Sequence, residues 1–482
     1  MPNPPRYQQL AQHYQQAIEG GALGVGDKLP SLRTLMRLHG VGLSTALQTC
    51  RTLEEGGWVQ GRERSGYFVR RPSRMGGMPP PDAPALQRLP DPAQFVGIHE
   101  KVSAFVARRQ QGGLRLDLSV AHCVPALYPG DALRAAMARS LRQQPELLTA
   151  PPPQDCLPFG TAVARRALRA GMQLTPLDVL PTHGCTEALH LALRAVAHPG
   201  DTVAVESPAF YGLLQILESL GLRALEVPTH ARTGLSVEAL ELALSAYERI
   251  RAVVVVPHLQ NPLGSVMPDA HKAPLVRLCS AHGVAVIEDD CYSELFDDGS
   301  APRALQSFDQ DGSVIHCASL HKALAPGLRL GWMHGGRWHA RVQMLKQAHS
   351  RSNAALPLWA VGGFMASGAY ERHLQRLRLA LRVQRERSAD CIAAHFPPGT
   401  HIARPAGGVQ LWVELPKPLP AQLVFEAALR EGILVAPGAL FSHSGRFDHC
   451  LRINCGQPWT ESLEDGLRRL GTIATQAWAG TG

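Results

Sequence analysis

The sequence predicts an α/β chain in three parts: a small head of helices closed by a hairpin, a Pro-rich linker, and a large doubly wound body with a smaller α+β layer. Three features predict it. Positive charge concentrates at the front, where residues 1–74 hold ten Lys and Arg against five Asp and Glu, in a chain of net charge +8. Breakers crowd the next stretch, with seven prolines and two glycines in residues 72–92. Beyond it, short Val-rich runs alternate with longer segments of helical period.

Composition excludes several classes. With 482 residues, 45% hydrophobic and 18% charged, the chain can bury a sizeable core. No run approaches the ~20 apolar residues that span a bilayer. Met1–Gly21 is polar and Gln-rich, without the apolar stretch of a secretory signal. Ten scattered cysteines form no CxxC pair, so neither a zinc ribbon nor a dithiol redox motif is read, and no metal ligand set. A cytoplasmic protein whose cysteines are small buried hydrophobes is expected.

In the head, Tyr7 to Ile18 has helical period, and Gly24 to Pro30 is a turn. Ser31 caps a helix over Leu32 to His39. Gly40–Val41–Gly42 breaks the chain, Leu43 to Glu55 resumes a helix, and Gly56–Gly57 stops it. Trp58–Val59 and Tyr67–Phe68–Val69, around a basic turn, make a hairpin. This is the order of a winged helix-turn-helix, and its charge points to a polyanion.

The run LPSLRTLMRLHGVGLSTALQTCRTLEEGGWVQGRERSGYFV resembles the DNA-binding head of the GntR regulators, over nearly all of residues 7–69. The resemblance implies double-stranded DNA, with the second helix of the unit in the major groove. Leu43, Ser44 and Thr45 at its start then meet base edges, and Arg33 contacts DNA from the preceding helix. Arg62, Arg64, Ser65 and Gly66 of the wing lie near phosphate or the minor groove. The family usually has Arg at the place of Leu43. A winged helix that binds only protein is the alternative.

The head is read as residues 1–71, the linker as 72–98 and the body as 99–482. In polyproline geometry, at ~3.1 Å per residue, residues 72–92 would reach roughly 65 Å. In the body, DTVAVE (201–206), RAVVVVP (251–257), GVAVIE (283–288), Gly312 to Ala318 and Leu330 to His334 read as strands. Glu187 to Ala197 and Pro268 to His282 read as helices between them. Nearly continuous apolar strands imply a parallel sheet covered on both faces, with ligands beyond the strands' carboxyl ends. Leu374 to Ile392 reads as a long helix, and Gly408 to Leu415 and Cys450 to Cys455 as strands of the smaller layer.

Chemistry is therefore sought after each strand. Ser319-Leu-His-Lys322-Ala-Leu-Ala-Pro-Gly-Leu-Arg329 presents a lysine on a short loop, with Ser319 and Arg329 placed to share one phosphate. The run resembles the pyridoxal-phosphate lysine loop of fold-type I aminotransferases, and the likeness extends over about residues 115–475. It implies that Lys322 forms an aldimine with pyridoxal 5′-phosphate. Asp289, in IEDDCY, then pairs with the pyridine nitrogen, while Tyr292 and Asn261, in PHLQNPLG, bond the ring oxygen. Gly184, Cys185 and Thr186 open a helix whose N–H groups bind phosphate. Phe210 stacks on the ring, or Tyr211 does by a one-residue slip. Arg452 holds a substrate carboxylate as a bidentate pair. Each residue also has an ordinary reading: a surface lysine or arginine, an Asn-Pro turn, a helix cap at Asp289 or Asp290, a packed Phe.

His321 replaces a usual Ser, and Thr149 to Ala164 lacks the Tyr that relatives contribute across their dimer. A GntR-type head on such a body resembles the MocR subfamily of transcriptional regulators. That resemblance implies a head-to-tail homodimer on operator half-sites, sensing an amino acid, an amine or a B6 vitamer at Lys322. The alternative is a working aminotransferase with an accessory or vestigial head.

Overall fold

The structure is a computed structural model describing residues 5–20, 22–24, 26–55, 57–62, 66–70, 78–84, 88–149 and 156–480. It divides into two compact units, Met1–Gly76 and Gly77–Gly482.

The first unit holds α1 (Arg6–Glu19), α2 (Leu32–His39), α3 (Leu43–Glu55) and the antiparallel pair β1 (Val59–Arg62) and β2 (Gly66–Val69). Ser31 Oγ accepts the Thr34 N–H at 3.2 Å and starts α2. Gly40 ends it at φ +61, where a Cβ would be strained. Leu10, Tyr14 and Ile18 of α1 are buried, and the last two pack with Ala46, Cys50 and Leu53 of α3. These spacings put each helix's apolar residues on one face and leave the other to solvent.

In the second unit, β3 (Gln94–Phe95) and β4 (Leu116–Asp117) precede the strands of the main sheet, β5 (Leu180–Thr182), β6 (Thr202–Ser207), β7 (Arg223–His230) and β8 (Gly234–Leu235). β9 (Ile250–Val255), β10 (Ala285–Asp290), β11 (Val314–Ser319) and β12 (Gly331–His334) continue it. The order is β3–β7–β6–β9–β10–β11–β12–β5, with β8 on β7. Strands β7, β6, β9, β10 and β11 are parallel neighbours. Every residue of β6, β10 and β11 is buried, as helices on both faces require.

The expected parallel sheet is in fact mixed. β12 runs antiparallel to β11, and β5 antiparallel to β12. The reason is local: the loop from Leu320 to Leu330 carries no α-helix, and a parallel return needs a long crossover.

The smaller layer contains β13 (His401–Ile402), β14 (Gln410–Glu414), β15 (Ile433–Leu434), β16 (Ala436–Pro437) and β17 (Cys450–Asn454). Its sheet order is β13–β14–β17–β16, and β15 pairs with β4.

The expected linker does not run free to residue 98. Ile402 N–H donates to the Pro79 carbonyl at 3.2 Å, and Asp82 N–H to Glu414 Oε2 at 3.1 Å. Tyr247 donates to the Pro90 carbonyl at 2.8 Å, and β3 pairs with β7. Prolines lack N–H groups but keep their carbonyls, so the segment docks largely as an acceptor. Buried Val96 and Ile98 add about 1.5–3 kcal/mol each. The long extended reach thus does not apply from Met78 onward. No described helix is long and apolar enough to cross a membrane.

Candidate functional site

Four strands converge on one cleft. β9 leads into the Asn261 turn, β10 ends beside Tyr292, β11 delivers Lys322, and β17 brings Arg452 from the smaller layer. Asn261 is the hub. Its Nδ2 donates to Tyr292 Oη at 3.3 Å, and its Oδ1 accepts from Arg452 Nη1 at 3.0 Å and Gln410 Nε2 at 3.2 Å. Lys322 Nζ lies 5.7 Å from the centre of the Tyr292 ring. Burial, reinforced by the charge of Arg452, pulls the Lys322 ammonium down to about 8. Burial likewise pushes the Tyr292 phenol up, so it stays a donor.

Arg452 is fully buried. Its guanidinium also donates to the Ser119 carbonyl, while its Nε has no partner. Among the described residues no carboxylate pairs with it. A buried cation without a counter-charge is costly, so this geometry favours an incoming anion.

Asp289 faces the same cleft and accepts from Cys185 Sγ at 3.2 Å. Burial raises its pKa, and a cationic N–H partner would relieve that cost. Asp290 is spent elsewhere, on His258 Nδ1 at 2.7 Å and Ser293 Oγ at 2.8 Å. The helix Cys185–Val196 starts after Gly184, held at φ +87. Its first-turn N–H groups, Cys185 and Thr186 among them, lack intrahelical acceptors. A Cβ at Gly331 would sit 2.9 Å from the Gly184 backbone and 2.6 Å from the Ala318 carbonyl, so this turn needs a bare neighbour. Arg329 donates to the His183 carbonyl at 3.0 Å, beside Gly184. Ser319 Oγ accepts the His321 N–H at 3.1 Å.

Phe210 and Tyr211 are adjacent, half-buried rings 5.0 Å apart. Tyr211 lies 5.8 Å from the Arg452 guanidinium. Three neighbours escaped sequence reasoning: Gln410, the Ser119 carbonyl, and Tyr128, whose hydroxyl donates to the His321 carbonyl at 3.4 Å. Only chain tracing brings them in, because each is distant in sequence from the residue it contacts. Of Thr149 to Ala164, residues 150–155 lie outside the described residues. Burial, then the Lys322 and His122 charges, push the His321 imidazole down to about 3, so it is neutral.

In the head, Arg33, Leu43 and Ser44 are exposed and Thr45 is half-buried, all on α2 and α3. Gly66 begins β2 at φ +97. Arg64 and Ser65 lie outside the described residues, as does the Arg62 side chain. Lys28, read from sequence only as part of the charge, is bridged to Phe68 and would meet a Cβ at Gly66 at 3.2 Å. It therefore adds a cation at the wing.

The family model for aminotransferase class I and II matches residues 127–470, and that for bacterial regulatory proteins, gntR family, matches residues 6–69. The uncharacterised HTH-type transcriptional regulator YjiR of Escherichia coli (strain K12) is 36% identical, covering 98% of this chain and 99% of that protein. A 2-aminoadipate transaminase of Thermus thermophilus is 31% identical over 72% of this chain and 87% of its own. The crystal structure of LysN, alpha-aminoadipate aminotransferase from Thermus thermophilus, complexed with N-(5′-phosphopyridoxyl)-L-leucine, superposes with a TM-score of 0.71. It is 28% identical and covers 79% of this chain and 97% of LysN.

Proposed function

The chain belongs to the GntR-headed transcriptional regulators that carry a class I and II aminotransferase body, an architecture consistent with MocR, and from that premise we propose that it senses an amino acid through Lys322 and Arg452. It is a DNA-binding, pyridoxal phosphate-dependent regulator. The observation that carries the sensing proposal is Arg452, a buried guanidinium with no described carboxylate, joined through Asn261 to the phenol beside Lys322.

The cofactor supplies an aldehyde that amines capture and a pyridinium ring that withdraws electrons. The donor set fits it. Asp289 would hold the pyridine nitrogen, and Asn261 and Tyr292 the ring oxygen. Ser319, Arg329 and the helix start at Gly184, Cys185 and Thr186 would hold the phosphate. Phe210 or Tyr211 would cover the ring. Lys322 Nζ sheds its proton easily in this buried cleft and is the resident amine. Arg452 would take an effector carboxylate on its free N–H groups, a charge-assisted pair. That contact would pull on β17 and thereby on the smaller layer. DNA affinity would follow only if the effector prefers one of the two arrangements. The proposal includes a head-to-tail dimer in the cytoplasm that reads two half-sites. A plain transaminase reading is not favoured, because YjiR matches over the head as well as the body.

Borohydride treatment of the purified chain should fix the cofactor covalently to the wild type and not to Lys322→Ala. Absence of a fixed adduct in the wild type refutes the Lys322 reading. In a thermal-shift screen of L-amino acids, Arg452→Gln should weaken any hit by about 2 kcal/mol, roughly 30-fold. Binding of the matching decarboxylated amine should change little. Equal losses for both would exclude a carboxylate at Arg452.

A further inference from the structure

At the far end of the same two strands lies a second cluster of donor atoms. β14 and β17 pair Trp412 with Arg452 at the cofactor cleft, and Glu414 with Cys450 two residues along. A Glu414 oxygen, a His449 ring nitrogen and Cys450 Sγ all lie within 4.8 Å of one another. Glu414 and Cys450 are buried and His449 is half-buried. His401 Nδ1 is 4.0 Å from Glu414 Oε2 and 3.8 Å from Asp82 Oδ1. A cavity of about 470 Å³ opens onto this cluster, lined by Asp82, Glu414, Lys417 and His449 among others.

We propose that Glu414, His449 and Cys450 bind a borderline divalent transition metal of the Zn²⁺ class, with His401 or water in the fourth position. A carboxylate, an imidazole and a thiolate are the donor types such ions take, at about 2.0 Å for O and N and about 2.3 Å for S. Tetrahedral bonds of that length set ligand atoms roughly 3.3–3.8 Å apart, so closure from the present spacing needs a movement of about 1 Å. Mixed N, O and S donors exclude Mg²⁺ and Ca²⁺, which take oxygen. On binding, the Cys450 thiol releases its proton to solvent and its sulfur donates to the ion. Lys417 faces the group, and Arg88 and Arg446 line the same cavity, Arg446 paired with Asp91. Lys417 lies 3.3 Å from Asp82 Oδ2 and is well exposed, so it can swing aside. The backbone N–H of Asp82 already rests on Glu414, which places the ion where the Pro-rich segment meets the smaller layer.

In a second trio, Cys185, Asp289 and Cys291, the donor atoms also lie within 4.8 Å of one another. It sits inside the cofactor cleft, and the experiment must separate the two. Zn²⁺ is titrated into the full-length holoprotein against a chromophoric chelator, and Co²⁺ is followed by difference spectra for its thiolate charge-transfer band. One equivalent should bind per chain. His449→Ala and Glu414→Gln should each weaken it more than about tenfold. Cys450→Ser should remove the cobalt band, while Cys185→Ser with Cys291→Ser should leave it. The proposal fails if the wild type takes no metal from the chelator. It fails equally if weak binding survives all three changes at the cluster, or if the band follows Cys185 and Cys291. Because Cys450 is buried and its variant could misfold, the half-buried His449 provides an independent arm.

Discussion

The role proposed for Lys322 turns on where its amine is kept. Out of water and near Arg452, the ammonium gives up its proton at about 8 instead of the ordinary 10.5. Only the neutral amine attacks a carbonyl. The sign is therefore fixed: lowering the pH below about 8 protonates Lys322 and slows capture, by about tenfold per unit, and raising it further gains nothing. Stopped-flow absorbance of the apo chain mixed with pyridoxal phosphate would trace this profile. A rate still climbing beyond about pH 10 would mean a solvated lysine. Asp289 shows the complementary case, a carboxylate whose burial waits on a positive partner. The residue types of this site were legible in the sequence, because most lie within or just beyond a strand-like run, as Asp289 does in β10 and Lys322 after β11. The pairing of Arg452 with Asn261 was not, since no local pattern reports contacts between residues 191 positions apart.

At the scale of elements, periodicity placed α2 and α3 at Leu32–His39 and Leu43–Glu55, as the structure has them. The seven body strands read from the sequence fall within two residues of their expected bounds, whereas β5 and β7 were not read as strands at all. What periodicity does not carry is direction. A four-residue apolar run looks the same parallel or antiparallel, and β12 runs back against β11. The docking of residues 78–84 and 88–98 was hidden for a similar reason, because proline-rich composition reports stiffness, not what the carbonyls meet. The joint between β12 and the helix Cys185–Val196 is testable. Gly331→Ala would press a methyl into the Gly184 and Ala318 backbones, costing about 1–3 kcal/mol. Its thermal midpoint should drop, and its cofactor affinity should drop further as the turn proposed to hold the phosphate shifts. A stable variant with unchanged cofactor affinity would show that the close approach is incidental.

For the whole molecule, the basic head dominates encounter with DNA. Anisotropy of a labelled upstream duplex should lose affinity steeply with salt, with a log–log slope of roughly −3 or steeper for each engaged head. A salt-independent isotherm would argue against phosphate contacts altogether. The body adds a mechanical condition. Pro79 and Asp82 are fastened to β13 and β14, while Pro90 and Gln94–Phe95 are fastened on the large sheet's side. These fastenings hold one segment to both layers of the body. An effector that shifts the smaller layer through Arg452, as proposed, would load those fastenings first at Pro79 and Asp82.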